Sequence, residues 1–238
     1  MVTRNFLFQK DYKINDKIKI IIPTVGEVLD REDEYYSLIT MFTAMPVDMM
    51  VQLDDIGLDF TEINEYQLFL LLFGAIKDAD TSLVFGDLNL SSFEKAINTV
   101  NNEIILVDKE TDIRIDRALH GQIADVLRKI NHIEKNYRKP ANDEAKSFMI
   151  DRARKKQQRQ RGRAVESQLE KLIISLVNTS EFSYGYESVK DLTIYQFNQS
   201  LRQIIRKIDY DNRMHGVYAG TVNAKELNQD DLTWLINK

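Results

Sequence analysis

Apolar and polar residues alternate like a strand only near the start of the chain, and after that the pattern is helical for most of its length. Lys17-Ile-Lys-Ile-Ile-Ile22 begins with polar/apolar alternation, is rich in β-branched residues and stops at Pro23. This predicts a strand over 17–22, with Asn5 to Lys10 as its expected partner. Thr24 and Glu27 then have capping-box spacing, in which a hydroxyl takes a first-turn amide and a carboxylate reaches back to the cap's own amide. Tyr35, Leu38, Ile39 and Phe42 recur at helical spacing behind Glu32 to Glu34, whose carboxylates suit the positive end of a helix dipole. Pro46 fits the first position of a further helix, where its missing N–H costs nothing, and Val47, Met50 and Val51 form the expected inner face. Asn64 caps a helix expected to run to Ile76, with Ile63 stapling against Leu68. The run Leu68 to Phe73 is apolar on every face, which predicts a central position.

The middle of the chain is less sharply patterned. Asp78-Ala-Asp-Thr and Asn101-Asn102 have turn chemistry, and Leu83 to Phe85 and Glu103 to Val107 are expected as short strands. Ser91 and Glu94 match a second capping box, so the pattern equally allows a helix over residues 92–100. From Asp116 to Lys135, Leu119, Ile123, Val126, Leu127 and Ile130 trace an amphipathic helix, and Pro140 closes that section. Between Asn142 and Asn178 there is no proline and the only glycine is Gly162, so one helix of about 55 Å is allowed, with Gly162 favouring a break or bend. Phe148 and Met149 can pack at its start. Leu169, Leu172, Ile173, Leu176 and Val177 can pack at its end, and the stretch between has almost nothing to bury. The last long helix starts at Thr193, which forms a capping box with Gln196 while Leu192 staples to Phe197. Ile194, Leu201, Ile204, Ile205 and Ile208 are its expected buried side, and a loop from Val217 through Gly220 leads to a short segment carrying Trp234.

Together these elements predict a mainly α, α+β chain with a small β element in its N-terminal and middle region and a long basic helix leading to a C-terminal helical region. Composition suggests three parts: an acidic α+β domain over 1–139, a basic helical connector over 140–180 and a C-terminal helical region over 181–238. With 238 residues and 43% hydrophobic content the chain can bury a real core. The absence of cysteine excludes disulfides, thiolate nucleophiles and cysteine-ligated metal centres, and points to a reducing compartment. Met1 to Lys13 lacks the apolar core of a signal peptide, and Leu68 to Phe73 is far short of the roughly 20 residues that span a bilayer, so no membrane partner is expected.

The net charge of −5 conceals a polarity: residues 1–110 hold 9 Lys/Arg against 20 Asp/Glu, a net of −11, and residues 111–238 hold 23 against 17, a net of +6. Such asymmetry suits pairing within an oligomer or with a partner of opposite charge. Catalytic chemistry has little to stand on. His120, His132 and His215 are the only histidines and none has a partner at a recognisable spacing. Asp54, Asp55, Asp59 and Glu62, like Asp78 and Asp80, lack the alternation and closing glutamate of a calcium loop and read as solvated or helix-start residues. Gly162-Arg-Ala and Gly216-Val-Tyr-Ala-Gly220 match no phosphate-binding motif. A non-enzymatic protein without cofactor or metal is therefore expected.

One segment carries a stronger signal. Arg152, Arg154, Lys155, Lys156, Arg159, Arg161 and Arg163 place seven cations in twelve residues with no acid among them. A helix there would be surrounded by positive charge and opposed by self-repulsion. It suits a solvated helix or hinge between packed regions, a contact for the acidic face of another subunit, or a phosphate-binding surface. The overall acidity and the lack of interleaved aromatic residues weigh against nucleic acid.

Ile20-Ile-Ile-Pro-Thr-Val-Gly-Glu-Val28, the basic stretch from Ala145 to Arg163, Leu192-Thr-Ile-Tyr-Gln-Phe-Asn198 and Gly216-Val-Tyr-Ala-Gly220 together span most of the chain. They resemble poorly characterised proteins of the tail gene cassettes of tailed bacteriophages. The resemblance implies a tail assembly chaperone or a tail or baseplate component. Its partners would be other phage tail proteins and further copies of itself, and its location the virion tail or the host cytoplasm. It brings no catalytic residues with it.

Overall fold

The chemistry of Thr24 fixes where the chain passes from strand to helix. Its side chain accepts from the Glu27 amide while the Glu27 carboxylate accepts from the Thr24 amide at 2.7 Å, closing the expected box. The computed structural model describes residues 5–162 and 166–235. Before Thr24, β1 (Asp11–Lys13) and β2 (Lys19–Ile21) form an antiparallel hairpin in which Asp11 faces Ile21 and Lys13 faces Lys19. The partner of β2 is thus not Asn5 to Lys10. The Asn15 side chain accepts from the amides of Lys17 and Ile18 and turns the chain, which sets the residues just before the turn against β2. The earlier segment instead sends Phe6 into the core.

Four helical elements follow, interrupted by one 3-10 turn. Helices α1 (Val25–Asp30) and α2 (Glu32–Thr43) lead to the turn Pro46–Met49, with Pro46 at its first position, and then to α3 (Met50–Asp55). Helix α4 (Glu65–Ile76) is capped reciprocally by Asn64 and Gln67. It is not apolar all round in effect. Phe69, Leu70, Phe73 and Ile76 join the main core and Leu68 joins a second cluster, but Leu71 remains 48% exposed. A helix wedged between two clusters needs two apolar faces, and its outer edge stays in solvent.

The middle region resolves differently from expectation at one point. Ser82–Phe85 is a short helix, α5, not a strand: the Asp80 carboxylate accepts from the Ser82 amide and starts the turn, which buries Val84 and Phe85 and ends at Gly86 (φ +62°). Residues 92–100 contribute β3 (Glu94–Ile97), which pairs antiparallel with β4 (Ile104–Asp108), and β5 (Ile113–Ile115) completes a three-stranded sheet in the order β3-β4-β5. The Tyr66 hydroxyl ties α4 to this sheet through the carbonyls of Ile115 at 2.8 Å and Ile104 at 3.0 Å.

Helix α6 (Arg117–Asn131) begins at the Asp116 cap and buries Ile123, Val126, Leu127 and Ile130. The allowed long helix after it is interrupted. Helix α7 (Asp143–Gln160) ends at Arg161 and Gly162, where φ is +81°, and α8 (Gln168–Val177) resumes beyond residues 163–165. Two further helices, α9 (Tyr186–Val189) and α10 (Ile194–Tyr218), complete a mainly helical α+β architecture. Helix α10 continues past the expected loop at Val217, and Ile205 and Ile208 are 52% and 38% exposed rather than buried. The main core draws on Phe6 of the N-terminal segment, α2, α4, α6 and α8, and on Ile194, Phe197 and Ile204 of α10. A smaller cluster of Ala44, Val47, Leu53, Phe60, Leu68 and Ile150 lies beneath α7.

Candidate protein-interaction surface

Helix α7 has almost no apolar residues to hold it, so its attachment rests on a few positions. Asn142 accepts from the Ala145 amide at 2.8 Å, and Asp143 and Glu144 occupy the first turn, where carboxylates favour the helix dipole. Lys146, Ile150 and Arg154 then follow at intervals of four residues, which puts them on one stripe. Lys146 pairs with Asp59 at 2.8 Å and Asp143 at 3.0 Å, and Ile150 enters the second cluster. The Arg154 guanidinium bridges Asp54 at 2.9 Å and Asp55 at 2.5 Å. The hydrogen bond from Lys146 holds the Asp59 carboxyl down at about 2, reinforced by the Thr61 amide and hydroxyl. Asp54 and Asp55 stay exposed, as the sequence suggests, and together with the half-buried Asp59 they also receive the cations of α7 on either side of Ile150.

The seven cations consequently have different roles. Arg154 is half-buried and acts as a strut to α3. Arg152, Lys155, Lys156, Arg159 and Arg161 are exposed and make no ion pair among the described residues. Arg163 lies outside the described residues. Beyond Arg154 the helix therefore presents a cationic surface on a base that is fixed to the body.

The chain re-enters the body at a surface of opposite sign. Ser167 accepts from the Glu170 amide, and Glu32 from the first turn of α2 accepts from the amides of Gln168 at 3.1 Å and Leu169 at 3.0 Å. One carboxylate thus serves the N-terminal ends of two helices. A cleft of about 770 Å³ there is lined by Asp30, Asp33, Glu34 and Glu166, with Leu29 and Leu172 on its apolar side.

The histidines converge on nothing. His120 is buried among Phe42, Tyr66 and Phe69, His132 stacks on Tyr195, and His215 is exposed on α10. Among the described residues no group of acids and histidines could hold a metal ion, and no helix is long and apolar enough to cross a membrane. The clamp between α7 and α3 escaped sequence reasoning. Its one local signal is the four-residue spacing of Lys146, Ile150 and Arg154, which names a stripe but not the acidic patch that receives it.

Residues 155–237 match the family profile described as the YomV second domain. The similarity begins in the cationic half of α7 and takes in α8, α9 and α10. No curated protein and no solved structure matches the chain.

Proposed function

We propose that this chain is a bacteriophage tail assembly protein or a structural piece of the tail or baseplate, acting through protein–protein contacts and catalysing no reaction. The observation that carries this is the division of α7 into a clamped base and an exposed cationic half whose Lys155, Lys156 and Arg159 make no ion pair among the described residues. Exposed, unpaired charge of one sign on a fixed helix is suited to meeting an acidic protein face, where it speeds encounter and sets register. Further support comes from the C-terminal similarity, since YomV belongs to the SPbeta prophage region of Bacillus. The partners are other tail proteins, and the chain acts in the host cytoplasm during assembly or in the finished virion tail.

The test is a triple reversal, Lys155→Glu, Lys156→Glu and Arg159→Glu, which spares the Arg154 strut. Thermal stability should stay within about 0.5 kcal/mol of the parent, as for exposed charges generally, while recovery of the chain with tail proteins and the yield of infectious particles fall. Normal assembly by this variant removes the role of α7. Absence of the chain from both virions and tail-protein complexes removes the reading altogether. The same exposed cations favour one second reading, phosphate binding. It requires affinity for DNA or RNA that declines steeply with salt, and no binding at low salt eliminates it.

A further inference from the structure

We infer that α7 is a releasable strap: the helix lifts off α3 as one unit while the rest of the fold stays closed, and in lifting it bares an apolar, methionine-lined bed. Its hold is slight for its length. Of its 18 residues only Ile150 is buried, whereas α6 buries seven of 15 and α4 six of 12. No residue of α7 enters the main core, so that core loses nothing when the helix leaves.

Ion pairs supply most of the remaining hold, and water reaches them. Arg154 is half-buried and its partners Asp54 and Asp55 are exposed. An exposed pair of this kind shifts an equilibrium by at most about fivefold. Lys146 is better sheltered against Asp59, but its other partner, Asp143, belongs to α7 and leaves with it. Undocked, the helix does not sustain itself. Arg152 lies one turn from Lys155 and Lys156, and both lie one turn from Arg159, so like charges repel along its outer half. An isolated helix of this length is marginal in water even without that repulsion. Docking and helix formation are therefore coupled, which makes α7 one cooperative unit.

Both ends allow the motion. Residues 133–140, Pro140 among them, form neither helix nor strand, and beyond Arg161 the chain turns at Gly162, where φ is +81°. The tethers next to these hinges stay with the body. Asn136 donates to Asp48 at 2.8 Å, Lys135 pairs with Glu65 and Asp125, and Glu32 holds the start of α8. Beneath the helix lie Val47, Leu53 and Phe60, with Met45, Met49 and Met50 packed against their cluster. Methionine is unbranched and adapts to what it meets, so such a bed suits a helix, as α7 shows by occupying it. Docked is the resting state, and lifting is the excursion from it. The inference concerns the free chain and does not depend on the assembly role proposed above.

Hydrogen exchange of the full chain tests this. Relative to their unprotected rates, amides of α7 should exchange at least about a hundredfold faster than those of α4 and α6, through one common opening with a small dependence on urea. Val126→Ala, in the main core, should speed exchange in α6 about tenfold and leave α7 unchanged, because it weakens the docked and lifted states alike. Ile150→Asp with Arg154→Glu should give a folded protein that has lost protection over residues 143–160 and keeps it in α4 and α6. Equal protection across α7, α4 and α6 in the parent overturns the inference. So does acceleration of α7 by Val126→Ala, or loss of protection in α6 when Ile150 and Arg154 are replaced.

Discussion

Acidification from about pH 7 to pH 5 should cost this protein stability through one buried imidazole. His120 is 1% exposed, stacked 4.3 Å from the Phe69 ring and flanked by Phe42 and Tyr66. Its ring hydrogen-bonds the Phe42 carbonyl, and its Nε2 has no hydrogen-bond partner. A second proton would therefore place a cation with no new acceptor in an aromatic interior. Burial is the largest cause of its lowered affinity for that proton, the charges of Arg128 and Lys135 add to it, the Phe42 carbonyl and Asp125 oppose it, and together they push the group from 6.5 down to about 4. The unfolded chain takes up this proton near pH 6.5, the folded chain only near pH 4. Between those values the unfolded state holds more protons, so stability falls as pH falls through the window and the loss saturates below it. The whole window amounts to about 3 kcal/mol, of which about 2 kcal/mol is spent by pH 5. Urea unfolding at several pH values would compare the parent with His120→Asn, which retains a donor toward Phe42 and does not titrate. The variant should start less stable, having lost ring contacts, yet its stability should decline less between about pH 7 and pH 5, by about 2 kcal/mol. His132, also pushed down by burial, leaves a residual slope in both proteins. Equal slopes would refute the assignment.

Two further substitutions test the packing that positions the candidate surfaces. Glu65→Ala removes the carboxylate that faces the buried Arg128 at 2.5 Å and Lys135 at 3.3 Å, and should cost about 3 kcal/mol in chemical denaturation because a buried guanidinium keeps only the more distant Asp125, at 3.5 Å, as counter-charge. Thr193→Ala breaks the reciprocal cap of α10 and should cost about 1 kcal/mol, read as a lower melting temperature with the helical signal retained.

Much of this fold is legible in the sequence because its punctuation is local. The boxes at Thr24, Asn64 and Thr193 join groups three residues apart, so the helix starts they specify need no knowledge of the rest of the chain. The match at Ser91 and Glu94 fails for a reason of equal clarity. Asn89 takes the Ser91 amide and Phe93 is fully buried, which sends Glu94 into a strand. Leu83 to Phe85 is too short for period to choose between helix and strand. The cationic helix is evident from composition alone, but the division within it is not. Arg154 differs from Lys155 only through Asp54 and Asp55, which lie about a hundred residues earlier, and no spacing rule reaches that far.

The starts of α1 and α10 are stitched together by backbone. Thr24 and Thr193 form an isolated antiparallel bridge, the Val25 amide donates to the Leu192 carbonyl at 2.8 Å, and the Ile194 amide donates to the Pro23 carbonyl at 2.8 Å. Gly26 makes this approach possible, since a Cβ there would stand 3.3 Å from the Lys190 carbonyl oxygen. The seam also sets a timetable for synthesis. Residues near the beginning of the chain wait for residues near its end, and a ribosome must deliver α10 before Ile22, Val25 and Val28 are covered. Until then the nascent chain exposes apolar surface with its long-range contacts unmade, the circumstance in which folding is slow and aggregation competes. Stop codons placed shortly before Thr193 should therefore yield insoluble protein, however well the helices upstream are capped.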